Sequence, residues 1–453
     1  MAHVLISAAH KSSGKTVLSL GICALLRDKG LNVQTFKKGP DYIDPMWLAK
    51  ATQNNCYNLD FWTQTEQEIK STFATHSNKA DVSIIEGNKG LHDGLATDGS
   101  NSNAALAKLL NAPVVLILDT RGTIRGVAPL ILGYQKFDTD VNIAGVILNF
   151  VGGNRHAAKL TNVLERYTDI PILGTVQRNV ELDLVERYLG LMPSNEDQRA
   201  QEKVLRIAYN IEDQIDIDRI LEISHTTSSI KITSTQHSNV QNSGLKIAYA
   251  KDEAFGFYYA DDLDEFARHG AQLLPFDSLH DTALPDSDAL FIGGGFPEKR
   301  MQQLANNTLL KQNIFNAIDQ GMPTYAECGG LMYLCNSITF NSEKCNMVGI
   351  INADCEMFDK PIGRGYTLLE NNTNHLWENP SSSTISGHEF HYSKLTRVSK
   401  DINYAYTVKR GFGVNGEEDG IIYKNLIACY AHQRNTSQNQ WISKFIDFIN
   451  TCT

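Results

Sequence analysis

Pro323-Thr324-Tyr325-Ala326-Glu327-Cys328-Gly329-Gly330-Leu331-Met332-Tyr333-Leu334 sets a short strand, a sharp turn and the start of a helix end to end. A strand-like run closes on one cysteine, two glycines follow at once, and an apolar helical pattern begins. That is the layout of a nucleophile elbow, in which a tight strand-to-helix turn lifts one side chain above a sheet. The turn leaves little room for a Cβ beside the nucleophile, which accounts for the paired glycines. A cysteine at a helix start also feels the positive end of the helix dipole, which favours the thiolate. A lone cysteine at a strand end is more often a packing residue. The glycines on one side, and a second glycine turn upstream, favour the nucleophile.

That upstream turn is Gly293-Gly294-Gly295, which follows the apolar strand Ala289-Leu290-Phe291-Ile292. Consecutive glycines after a strand let backbone N–H groups point at one spot, as an oxyanion hole requires, so Gly294 and Gly295 are the candidate donors. Downstream, His388, His391 and His432 are the candidate bases for a cysteine nucleophile, which needs an imidazole placed by the fold rather than by proximity in sequence.

A different chemistry is written at the other end of the chain. His3 to Ile6 reads as a short buried strand, and Leu18, Ile22, Leu25 and Leu26 recur at helical spacing until Gly30. Between them, Ala9-His10-Lys11-Ser12-Ser13-Gly14-Lys15-Thr16 fits the phosphate-binding loop except that alanine replaces its first glycine. In such loops the backbone N–H groups of residues like Ser12, Ser13 and Gly14 cradle phosphates, Lys15 reaches the outer ones, and the Thr16 hydroxyl binds magnesium. Ala9 is compatible with that role only if its φ is negative. Strands at Val33 to Phe36, Val82 to Ile85, Val114 to Leu118 and Ile143 to Leu148 each end in a polar tip. Glu86 stands where phosphate-loop enzymes place a second magnesium contact. Strands alternating with helical patterns predict a mostly parallel, doubly wound α/β sheet here, and a second doubly wound α/β domain is expected in the C-terminal half.

With 453 residues, two domains are expected. The Ser-, Thr-, Gln- and Asn-rich composition from about Ile211 to Ser243 reads as a linker, giving domains at 1–225 and 244–453 with 226–243 between them. A formal net charge of −10 argues against a nucleic-acid binder. No apolar run reaches the length of a membrane span, and nothing at the N-terminus resembles a signal peptide. The eight cysteines are scattered without metal-like pairing, so reduced thiols in a cytoplasmic protein are the expectation.

Taken together, Phe36 to Pro45 (FKKGPDYIDP), Glu86 to Gly94 (EGNKGLHDG), Glu186 to Pro193 (ERYLGLMP), Phe291 to Glu298 (FIGGGFPE) and Tyr325 to Leu334 (YAECGGLMYL) closely resemble the cobyrinic acid a,c-diamide synthase family. That family joins a dethiobiotin-synthetase-like ATPase domain to a class I glutamine amidotransferase domain. The resemblance implies ATP- and Mg2+-dependent amidation of two side-chain carboxylates on a corrin-type macrocycle, with glutamine as ammonia donor. On it, Cys328 matches the glutaminase nucleophile and His432 its base. Lys15 and Thr16 match the nucleotide loop, and Asn149 sits where the fold would contact adenine. Asp41, Tyr42, Asp44, Glu86 and Asp93 match positions near phosphate, metal and substrate, with Asp44 and Glu86 on the metal side. One departure from commoner class I enzymes is Arg434, which stands where those carry a glutamate two residues after the histidine.

The residue chemistry agrees. A carboxylate is a poor electrophile, so ATP must first convert it to an acyl phosphate, with Lys15 and magnesium offsetting the charge that builds up. Lys37, Lys38 and Arg364 are candidate partners for the carboxylates of a polycarboxylate tetrapyrrole. Cobyrinate is the first expectation for that substrate; sirohaem and nickel-sirohydrochlorin stay open, as does a homodimer. A partition- or septum-positioning ATPase fits poorly. Its second lysine belongs five residues before the loop lysine, whereas Lys11 lies four before Lys15, and it has no cysteine elbow.

Overall fold

The computed structural model describes residues 1–179, 182, 186–187, 190–227, 243–377 and 384–452. Its chain divides into two compact units, Met1–Thr235 and Gln236–Thr453. Most of the expected linker, 228–242, and part of the Glu186 to Pro193 motif lie outside the described residues. One end of the Ser- and Thr-rich stretch is not linker. Ile217–Ser224 is a helix of the first unit with Ile217, Ile220 and Ile223 buried, the spacing of a helix that covers a core.

The main sheet of the first unit comprises β1 (His3–Ala8), β2 (Val33–Lys38), β3 (Cys56–Leu59), β4 (Val82–Glu86), β5 (Val114–Asp119), β6 (Ile143–Val151) and β7 (Ile172–Gln177). Their order is β3-β2-β4-β1-β5-β6-β7, and every neighbouring pair is parallel. Strands β1, β2 and β4 are buried along their whole length, as in a parallel sheet covered on both faces. Two helices matter for the site: α1 (Lys15–Asp28) follows β1, and α2 (Ile43–Thr52) follows β2. The Trp47 indole of α2 donates to the Met192 carbonyl at 2.8 Å and so fastens the end of the Glu186 to Pro193 motif to this helix.

The second unit is built on a nine-stranded sheet. Its strands are β8 (Lys246–Ala250), β9 (Gln272–Phe276), β10 (Ala289–Ile292), β11 (Thr324–Glu327), β12 (Gly363–Asn371), β13 (Thr384–His391), β14 (Asn403–Arg410), β15 (Glu418–Tyr423) and β16 (Leu426–Cys429). They lie in the order β9-β8-β10-β11-β16-β15-β14-β12-β13. Pairing is parallel from β9 to β16 and antiparallel beyond it. A short helix α3 (Gly329–Leu334) leaves β11, and α4 (Trp441–Cys452) packs Trp441 against Phe266, Phe291 and Tyr325.

In open α/β sheets, ligands bind outside the carboxyl ends of the strands. Strand β11 has β10 and β16 as parallel neighbours, so residues that follow all three emerge on the same edge. Those residues are Gly293–Gly295, Cys328 and His432.

Candidate active site

Cys328 sits one residue past β11 with φ 47° and ψ −99°. A side-chain-bearing residue rarely adopts that conformation, and holding it costs about 1–3 kcal/mol, so the surrounding structure must enforce it. The enforcement is visible. The Cys328 N–H donates to the Cys429 carbonyl at 2.7 Å, and its carbonyl accepts from Met332 N at 3.0 Å. A Cβ on Gly330 would lie 2.2 Å from the Ile292 carbonyl oxygen, and one on Gly329 would lie 2.9 Å from Gly295 N. The helix start therefore comes as close to the glycine turn as glycine allows.

The expected oxyanion glycines lie at the same place. None of Gly293, Gly294 and Gly295 has a positive φ. Close approach is what they provide: a Cβ on Gly294 would lie 2.4 Å from His432 Cε1, and one on Gly295 only 2.0 Å from the Ala254 carbonyl oxygen.

The structure selects among the three candidate histidines. The His432 side chain lies beside Cys328 and Glu327, with Nδ1 3.4 Å from Glu327 Oε2. Burial lowers its proton affinity, but the neighbouring Cys328 and Glu327 outweigh that and push it up to about 10. His388 stacks on His432, with ring centroids 5.0 Å apart and planes 17° from parallel. Burial and the neighbouring His432 and Arg434 charges hold His388 well below the ordinary histidine value, so it is neutral. His388 and His432 also exchange backbone hydrogen bonds of 3.1 and 2.7 Å, which fix β13 beside the catalytic segment. His391 turns elsewhere, stacking on Tyr430 and lying 3.7 Å from Glu389.

Arg434 is buried, with its Nε and Nη2 donating to Asp261 Oδ2 at 3.1 and 2.5 Å and its guanidinium over the Tyr259 ring. The residue in the place of the commoner glutamate is therefore a cation committed to another partner. Arg364 lies on the exposed antiparallel edge opposite Phe390, its guanidinium 5.4 Å from that ring.

In the first unit the phosphate loop has the expected form. Gly14 takes the left-handed conformation with φ 81°, Ser12 does so as well with φ 62°, and Ala9 does not. Ser13 is buried and its hydroxyl donates to the His10 carbonyl at 2.8 Å. Asn149 reaches the loop from β6: its amide donates to the Ser13 carbonyl at 2.8 Å, and a Cβ on Gly14 would lie 2.2 Å from that amide nitrogen. In this conformation Asn149 braces the loop backbone.

Behind the loop, oxygen atoms converge. The Thr16 hydroxyl donates to Glu86 Oε1 at 2.8 Å and lies 3.3 Å from Asp44 Oδ2, and Lys15 Nζ is 3.8 Å from Glu86 Oε1. Lys37 projects between them. Its Nζ bonds Asp44 Oδ2, donates to Glu86 Oε1 at 2.9 Å, and lies 3.8 Å from Asp41 Oδ2. Burial lowers the proton affinity of Lys37, but Asp44, Glu86 and Asp41 together raise it well above the usual lysine value. Asp41 Oδ1 accepts from the N–H groups of Ile43 and Asp44 and so caps α2. Tyr42 is buried at the start of that helix, while Asp93 is exposed and accepts from Gly90 N at 3.1 Å.

Lys37, expected with Lys38 as a partner for substrate carboxylates, is engaged here by Asp44, Glu86 and Asp41. Successive strand residues face opposite ways, and Lys38 turns toward Asn88 at 3.3 Å, where burial lowers it to about 8. Among the described residues no three His, Cys, Asp or Glu side chains form a ready-made metal cage. The set Thr16, Asp44 and Glu86 nevertheless fits magnesium, which takes oxygen donors, few of them from protein, and keeps waters or phosphates for the rest. Glu86 Oε2, buried without a hydrogen-bond partner, marks spare acceptor capacity there.

Comparison with known proteins agrees with both halves. Residues 5–191 match the model of the CobQ/CobB/MinD/ParA nucleotide binding domain, and residues 246–440 that of the CobB/CobQ-like glutamine amidotransferase domain. The cobyrinate a,c-diamide synthase of Magnetococcus marinus is 40% identical over 97% of this chain and 95% of its own. That of Caldanaerobacter subterraneus is 39% identical over 98% and 97%, and that of Archaeoglobus fulgidus 37% identical over 98% and 96%. A nucleotide-binding domain and a glutaminase domain in one chain define a glutamine-dependent ligase that forms amide bonds. Among such ligases, the chain belongs to the cobyrinate a,c-diamide synthase family. No helix among the described residues is long and apolar enough to cross a membrane.

Proposed function

We propose that this enzyme amidates the a and c side-chain carboxylates of cobyrinate, using glutamine nitrogen and ATP, with residues 1–225 as the amidoligase domain and 244–453 as the glutaminase. The observation that carries the reading is the Cys328–His432 pair at the edge of β11, in a chain whose other half holds a phosphate loop.

In the glutaminase half, Cys328 Sγ attacks the side-chain amide carbon of glutamine. The new oxyanion lies toward the backbone of Gly294 and Gly295, and the C–N bond breaks as the His432 imidazolium gives its proton to the leaving nitrogen. Water then hydrolyses the thioester to glutamate. In the other half, a substrate carboxylate oxygen attacks the γ-phosphorus of ATP and ADP leaves. Ammonia next attacks the acyl carbon, and phosphate leaves. Backbone N–H groups from Ser12 to Gly14 and the Lys15 ammonium hold the phosphates, while Asn149 keeps the loop in shape. Thr16, Asp44 and Glu86 would hold Mg2+, which screens the charge of the transferring phosphoryl group. Asp41, Tyr42, Asp93 and Lys38 surround that region as phosphate or substrate contacts, and Arg364 is a contact for a substrate carboxylate.

The test is a mass-spectrometric assay with ATP and glutamine against cobyrinate, sirohaem and nickel-sirohydrochlorin in parallel. Two successive conversions of carboxyl to amide on cobyrinate are expected. In Cys328→Ala, synthesis from glutamine is lost and synthesis from ammonium persists. Amidation of another tetrapyrrole with cobyrinate untouched would overturn the substrate assignment.

A further inference from the structure

An imidazole that serves a thiol works best when its far nitrogen is held, because that hold fixes the tautomer and the ring angle. Nothing near His432 in the sequence offers the hold. Arg434 carries the wrong charge and is taken up by Asp261 and Tyr259. His388 is neutral, and its Nδ1 lies 3.2 Å from the Tyr259 hydroxyl. Asp419 accepts the backbone N–H groups of Tyr430 and Ala431 and so steers the chain into His432 without touching its ring.

The carboxylate within reach belongs to the residue just before the nucleophile. Glu327 is 3% exposed, and its Oε2 lies 3.4 Å from His432 Nδ1. Its other oxygen is fully engaged: Oε1 accepts the Tyr325 hydroxyl at 2.8 Å and the Gln433 N–H at 2.9 Å. Those two bonds aim Oε2 at the imidazole. Neighbours on a strand point to opposite faces, so Glu327 and Cys328 should not meet the same ring. The backbone turn at Cys328, φ 47° and ψ −99°, breaks the alternation and brings both to His432.

We propose that Glu327 is the positioning residue of the glutaminase, holding His432 through Nδ1 and stabilising its imidazolium, so that Nε2 faces the thiol and the leaving nitrogen. This rests on the amidotransferase reading above. The charged and titratable groups around the ring are Cys328, Glu327, His388 and, behind His388, Arg434 and Tyr259. Glu327 is thus the anion whose removal most directly weakens the imidazolium.

The test is Glu327→Gln in the full chain, with glutamine hydrolysis followed across pH beside the unaltered enzyme and Cys328→Ala. Gln keeps the shape and an acceptor for Tyr325 and Gln433 but presents an N–H to Nδ1. Hydrolysis should fall about 10²- to 10⁴-fold in kcat with KM little changed. The alkaline limb of the pH profile should move about 1–3 pH units to the acid side, because the imidazolium loses an adjacent opposite charge. The ratio of ammonium-supported to glutamine-supported synthesis should rise by about 10²-fold or more. A variant with unchanged kcat and an unmoved pH profile would overturn the proposal. So would a loss that is uniform across pH and equal for glutamine and ammonium, since that is the signature of damaged packing. Absence of glutamine hydrolysis in the unaltered enzyme would instead overturn the amidotransferase reading, and this inference with it.

Discussion

A methyl group at Gly294 would sit 2.4 Å from His432 Cε1, whereas one at Gly295 would strike the Ala254 carbonyl at 2.0 Å. The first obstacle is a side chain that can swing, the second is fixed backbone. Gly294→Ala is therefore expected to fold while displacing the imidazole. Misplacing a catalytic group by about an ångström costs on the order of 10²-fold, and that loss should be read in glutamine hydrolysis, with the ammonium-supported reaction as reference. Losing the ammonium-supported reaction to the same extent would contradict this account. The glycine triplet was legible as a functional turn from its place after a strand, whereas its second requirement, space for an imidazole, shows only once the fold sets His432 against Gly294. Glu327 was in plain view inside the elbow motif and carried no signal. Strand alternation places it on the face opposite the nucleophile, and only the strained φ of Cys328 cancels that alternation.

The tips of β2 and β4 act together. Lys37 and Glu86 are partners in the parallel ladder, so they lie side by side, and α2 supplies Asp44 from its first turn. Lys37 is 2% exposed and Glu86 fully buried, and this ammonium, with that of Lys15 3.8 Å from Glu86, balances the charge of the two carboxylates. Lys37→Met would remove the nearer of the two ammonium groups, and breaking a buried ion pair in this way costs about 3–5 kcal/mol. A lower thermal unfolding midpoint is expected, partly restored by magnesium, since a divalent cation can take the place of the ammonium between Asp44 and Glu86. An unchanged midpoint would show that the cluster is dispensable for stability. The strands, and the phosphate loop between β1 and α1, were readable because parallel strands buried on both faces leave unbroken apolar runs. The antiparallel extension from β15 to β13 was not, because half-exposed strands with many polar residues lack such runs.

At the scale of the whole molecule, the proposed mechanism assigns two reactions to two units with separate sets of key residues. Lys15→Ala should abolish amide synthesis from either nitrogen source yet leave glutamine hydrolysis measurable, the mirror image of Cys328→Ala. If Lys15→Ala also abolished hydrolysis, the two chemistries would be coupled more tightly than separate residue sets imply. By itself, the sequence determined the two local turns, at Ser12 to Thr16 and at Cys328, and hence the two chemistries, because such turns are encoded by glycines and small residues adjacent in the chain. Tertiary structure alone set His432 beside Cys328 and Glu327, where the family resemblance pointed, turned His391 away, sent Arg434 to Asp261 and placed Lys37 inside. Each of those outcomes depends on which strands lie side by side: β16 pairs with β11 across almost a hundred residues of chain, and no local pattern encodes a pairing made by packing.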